Sequence, residues 1–119
     1  MRKFFKSFSY AAAGVLHTMK VERNFKVHLL VAFLVLVMGI LVELSIVQWF
    51  IIIILIGVVL ALELVNTALE RIVDLVTEEY HPLAKQAKDA AAGAVLVFAI
   101  ASAVIGLLIF MPKWLLIFG

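Results

Sequence analysis

Four polar residues, Glu63, Asn66, Glu70 and Asp74, follow on a run of 19 residues, Leu44 to Leu62, that carries no charge. On an α-helix, which turns by about 100° per residue, the spacing i, i+3, i+7, i+11 holds all four within a sector of about 80°. Carboxylates and an amide therefore line one face of a helix where it leaves an apolar run. Such a stripe is costly beside lipid and marks a functional site. Glu22 stands just before the first apolar stretch and Lys88-Asp89 just before the third, at the same depth as Glu63 and Glu70. Acids from separate helices with one lysine at a common depth suit a Mg²⁺-phosphate complex. Carboxylate oxygens hold the hard cation and the lysine offsets phosphate charge. Glu63, the deepest acid, is placed to act as a general base toward a lipid hydroxyl arriving from the bilayer.

The elements that position these residues follow from composition. The chain has 119 residues, 66% hydrophobic and 15% charged, with a mean hydropathy of +1.22. So few charges cannot cover that much apolar surface in a water-soluble domain of this size, so the reading is a single-domain integral membrane protein. A net charge of +2 is too small to indicate a nucleic-acid partner. The absence of cysteine excludes a disulfide framework and a thiolate metal site. The N-terminal region does not read as a signal peptide, because its short apolar part is broken by His17 and Lys20 and no small-residue cleavage site follows.

Three uncharged stretches stand out: Val27 to Val42, Leu44 to Leu62 and Ala90 to Pro112. The first makes about 24 Å of helix against a hydrocarbon core of about 30 Å, and Lys26 extends it by snorkelling. The expected spans cover 27–43, 45–65 continuing to 78, and 84–111, with a very short turn around Glu43 joining the first two. Residues 3–20 carry Phe4, Phe8, Val15 and Met19 on one helical face, which suits an amphipathic helix on the membrane surface. Nine of the ten basic residues precede the first span or lie between the second and third; only Lys113 lies opposite. By the positive-inside rule the N-terminus and the acidic stripe are cytoplasmic and the C-terminus is outside. The third span is rich in alanine, which allows close helix approach in lipid. Trp49 and Trp114 fall near the outer interface.

Several residues keep a second reading. Glu70 and Asp74 with Arg71 also describe the solvated end of a long helix, a reading that weighs equally with function for Asp74 alone, and Asn66 an interhelical hydrogen-bonding residue. His81 reads as a loop histidine, and Glu78 and Glu79 as surface charge. His17 and His28 read as interface residues, since neither has a second histidine at ligand spacing. No phosphate-binding Gly-rich loop ending in Lys-Ser/Thr is present. Three short helices do not enclose a site alone, so the Glu63 face is expected to meet another helix or subunit in a homo-oligomer.

The run Leu62-Glu63-Leu64-Val65-Asn66-Thr67-Ala68-Leu69-Glu70, followed by Val73-Asp74 and by Ala87-Lys88-Asp89 with Ala94-Val95-Leu96, resembles the small prokaryotic diacylglycerol kinase family across nearly the whole chain. Glu22-Arg23-Asn24-Phe25 and His81-Pro82-Leu83-Ala84-Lys85 are most similar to its Gram-positive branch, which acts on undecaprenol. The resemblance implies an all-α homotrimer of three-span subunits with an N-terminal surface helix, in the bacterial cell membrane, with sites shared between neighbours. It also implies Mg-ATP-dependent phosphorylation of a lipid hydroxyl. Glu63 would be the general base, supported by Asn66. Glu22 and Glu70 would hold the metal, and Lys88 and Asp89 the nucleotide. Glu79 and His81 would lie by the base or ribose, with Tyr10 nearby. Undecaprenol is the leading substrate and diacylglycerol the runner-up. A small ion-coupled transporter using Glu63, or a non-catalytic membrane scaffold, is the reading from a different class.

Overall fold

The computed structural model describes all 119 residues as four helices: α1 (Arg2–Val21), α2 (Arg23–Leu41), α3 (Ile46–Val76) and α4 (Pro82–Phe118). Helices α2, α3 and α4 are each long and apolar enough to cross a membrane. At 1.5 Å per residue α3 extends about 46 Å and α4 about 55 Å, so each outruns a hydrocarbon core of about 30 Å. The last turns of α3, which carry Asn66, Glu70 and Asp74, therefore project beyond the apolar slab. Only 11 of 119 residues are buried, and large apolar side chains from Leu30 to Leu116 lie exposed, as lipid-facing surface requires.

The connections are short, and each is set by local chemistry. Between α1 and α2 a single extended residue, Glu22 (φ −97°, ψ 114°), ends one helix and starts the next. Its N–H donates to Thr18 O, and its side chain caps neither helix, so its carboxylate stays available. The α2–α3 turn is a Schellman closure, with Leu44 N–H donating to Gly39 O and Glu43 N–H to Ile40 O. Glu43 takes the left-handed conformation this demands (φ 56°). Ser45 then opens α3 with a capping box: its hydroxyl accepts from Gln48 N–H while Gln48 Oε1 accepts from Ser45 N–H. Val42, Leu44, Ile52 and Phe110 form the buried cluster beside this turn, with Trp49 packed on it. Gly39 has no room for a side chain, since a Cβ there would lie 2.7 Å from the Trp49 ring.

Helix α4 begins at Pro82, whose missing N–H costs nothing at a first helical position. His81 caps it, Nδ1 accepting from Leu83 N–H at 3.1 Å. At its far end the helix runs through Pro112 to Phe118, seven residues past the expected end at 111. A proline removes one intrahelical bond, and residues beyond it are tied back to the α2–α3 turn. Lys113 Nζ donates to Glu43 O, and Trp114 Nε1 to Met38 Sδ. Packing between α3 and α4 is far more extensive than that between α2 and α3.

Candidate active site

One stripe of α3 turns inward: Ile52, Val59, Glu63 and Thr67 are its buried residues, at spacings of seven, four and four. Glu63 thus continues the helix's packing face, and only 5% of it is exposed. Thr67 hydroxyl donates to the Glu63 carbonyl, so it does not engage the carboxylate. The carboxylate instead meets α2, where His28 Nδ1 lies 2.7 Å from Glu63 Oε1. The ring N–H is not aligned along that line, so the contact has ion-pair distance without full hydrogen-bond geometry.

One turn on, Asn66 Nδ2 donates to Glu70 Oε1 at 3.1 Å, and Asn66 Oδ1 is buried without a partner. Arg71 Nη2 reaches Glu22 Oε1 at 3.6 Å, which brings the α1–α2 junction to the same level. Asp74 Oδ1 accepts from Lys88 Nζ at 2.5 Å, and Lys85 pairs with Asp89 at 2.6 Å one turn along α4. The polar end of α3 is therefore cross-linked to three partners: α2 through Glu63, the α1–α2 junction through Arg71, and α4 through Asp74.

Two hollows flank this end. A polar one of about 450 Å³ lies between the end of α3 and the start of α4, and Glu79, His81, Lys88 and Asp89 all line it with Asp74 and Tyr80. Its walls carry four carboxylates against two lysines, a balance that favours hydroxyl and amino donors over bare phosphate. The other is an apolar groove of about 700 Å³ between α2, α3 and α4, running from His28 at the Glu63 end to Trp114 at the other. Apart from Gly106, its only non-apolar lining residues are His28 and Ser102, whose Oγ is buried and unpartnered.

The structure thus gathers Glu79, His81, Lys88 and Asp89 at one hollow, and sets Glu63 beside the groove with Asn66 and Glu70 one turn and two turns on. Glu22 is joined to this group through Arg71, next in sequence to Glu70. Tyr10 stands apart on α1, 71% exposed. Three contacts between helices escape the sequence reading: His28 to Glu63, Arg71 to Glu22 and Lys88 to Asp74. A signal for the first lies in depth: His28 follows Lys26 by half a turn, at the level the acidic stripe occupies.

The model of the prokaryotic diacylglycerol kinase family matches residues 9–110. An undecaprenol kinase of Bacillus subtilis is 58% identical over 113 residues, which cover 95% of this chain and 92% of the relative. A diacylglycerol kinase of Synechocystis is 43% identical over 110 residues, 92% of this chain and 63% of the relative. A diacylglycerol kinase of Helicobacter pylori is 30% identical over 96 residues, 81% of this chain and 75% of the relative.

Proposed function

The chain belongs to the prokaryotic diacylglycerol kinase family, and from that premise we propose that it phosphorylates the hydroxyl of undecaprenol with ATP, at the cytoplasmic face of a bacterial cell membrane. The observation that carries this reading is Glu63, a buried carboxylate held against His28, which itself lines one end of an apolar groove. A lipid chain lying along α2, α3 and α4 would present its hydroxyl to Glu63. The hydroxyl oxygen attacks the γ-phosphorus, the bond from that phosphorus to the leaving ADP oxygen breaks, and the hydroxyl proton passes to Glu63.

Lys88 and Asp89, with Glu79 and His81, would hold the nucleotide at the polar hollow, where the excess of carboxylates suits the hydroxyls of a ribose. Magnesium would be held by Glu22 and Glu70. The chain gathers no cluster of three or more acidic or histidine side chains, and Mg²⁺ needs none. One or two carboxylates plus phosphate oxygens are its usual ligands, so the residues fit. When bound, the ion neutralises charge on the β- and γ-phosphate oxygens.

The assembly is a homotrimer with sites shared between subunits, and α1 lies on the membrane surface. Asn66 Oδ1 and Ser102 Oγ, buried without partners in the single chain, and Tyr10, largely exposed on α1, support a neighbour's contribution. Phe4, Phe5 and Phe8, all exposed on α1, suit insertion among lipid headgroups.

Diacylglycerol is the second reading, favoured by the names of two of the relatives and by its equivalent primary hydroxyl. Turnover of the two lipids is compared in mixed micelles at equal mole fraction. The expected result is preference for undecaprenol, and a strong preference for diacylglycerol would sink the first choice.

A further inference from the structure

We propose that His28 is the positioning residue of the base: its Nδ1 holds Oε1 of Glu63 so that Oε2 is presented to the lipid hydroxyl. The inference rests on the kinase reading above and extends it to a residue on a different helix.

A carboxylate as buried as Glu63 requires a polar partner, since desolvating it without one is costly. His28 is that partner. Asn66 Nδ2 goes to Glu70 and the Thr67 hydroxyl to a carbonyl, and no other side chain hydrogen-bonds or pairs with the Glu63 carboxylate. At 2.7 Å the ring nitrogen is within donor reach of Oε1, so the imidazole tautomer with its proton on Nδ1 suits the contact. The N–H is not aligned along that line, and catalytic hydrogen bonds commonly tighten in the substrate complex.

The placement is held from below. Phe25, one helical turn before His28, is 2% exposed and anchors that face of α2. His28 itself lines the mouth of the apolar groove and keeps 26% of its side chain exposed, against 7% for Glu63. The imidazole therefore borders both the groove and the carboxylate, where it fixes the direction from which a hydroxyl meets Oε2. Misplacing a reacting group by about 1 Å costs about 10²-fold in rate, so loss of this contact is expected in turnover and not in substrate binding.

The test compares His28→Ala, His28→Gln and His28→Asn with the unsubstituted protein in mixed micelles of undecaprenol with Mg-ATP, each checked for folding by its elution and by a cooperative thermal transition above the assay temperature. Asparagine places an amide N–H where Nδ1 stands, whereas glutamine keeps the bulk and carries its amide one bond too far. Expected are kcat values lower by about 10²-fold for Ala and Gln with KM for both substrates within twofold, and recovery of most of kcat in Asn. In a Glu63→Gln background, His28→Ala should lower kcat no further, because it acts through the residue already changed. Unchanged kcat in His28→Gln, failure of Asn to recover, or an additive loss in the double variant overturns the proposal. Full activity of Glu63→Gln alone would instead overturn the base assignment on which it rests.

Discussion

The two ends of the α2–α3 hairpin treat their polar groups in opposite ways. At the Glu43 end, the backbone of the turn from Gly39 to Gln48 is closed within a few residues by the Schellman closure and the Ser45 capping box, over a buried cluster of Val42, Leu44, Ile52 and Phe110, with Lys113 of α4 adding one bond to Glu43 O. At the Glu63 end, partners come from other helices: His28 for Glu63, Glu22 for Arg71, Lys88 for Asp74. There the Asn66 carbonyl oxygen is left unpartnered, and buried charge is kept where an apolar residue would pack more easily. One end fixes the hairpin; the other sets charged groups of separate helices against one another, where the proposed site lies. The contrast teaches that in a chain this small, stability and chemistry are assigned to different membrane levels along the same helices.

That division makes the two ends separable by mutation. The largest effect is expected at Glu63, where Glu63→Gln removes the proposed base and should lower kcat by about 10²- to 10⁴-fold. Its KM for Mg-ATP should stay within twofold in steady-state assays, because the base acts in the chemical step. Glu22→Ala and Glu70→Ala come next. Each should raise the Mg²⁺ and ATP concentrations needed for half-maximal rate by about tenfold, as for the loss of about 1.4 kcal/mol, with thermal unfolding little changed. A magnesium titration reads this, and an unaltered midpoint in both variants would remove them from the metal site.

At the other end the signs reverse. Gly39→Val forces a side chain into the Trp49 ring, and about 1–3 kcal/mol of stability should be lost. The smallest effect belongs to Ser45→Ala, which breaks the capping box and should cost about 1 kcal/mol. Both should lower the Tm in detergent while leaving turnover of the folded protein at low temperature within twofold. A Glu43-end variant that folds normally yet loses turnover would break the comparison.

Much of this arrangement was legible in spacing. The uncharged run before Glu63 and the stripe after it mark a helix that leaves the bilayer without a break, and α3 is continuous from Ile46 to Val76. The short turn around Glu43 was legible because charge and serine interrupt two apolar runs. What escaped depends on distance in the chain. His28 and Glu63 are far apart in sequence, on antiparallel helices, and a lone histidine carries no periodic signal that selects its partner. Asp74 read equally well as a solvated helix end, since its lysine partner is fixed only once His81 and Pro82 set the start of α4. The helix beyond Pro112 escaped for the opposite reason. Proline locally favours a stop, and the contacts of Lys113 and Trp114 with the α2–α3 turn outweigh it.

The most direct measurement follows label from the γ-phosphate of ATP into the organic phase, using purified protein reconstituted with undecaprenol. The account predicts magnesium-dependent labelling of the lipid as its monophosphate, with one ADP formed for each phosphate transferred. ATP hydrolysis with no labelled lipid, or ATP-independent ion flux in the same vesicles, would contradict it.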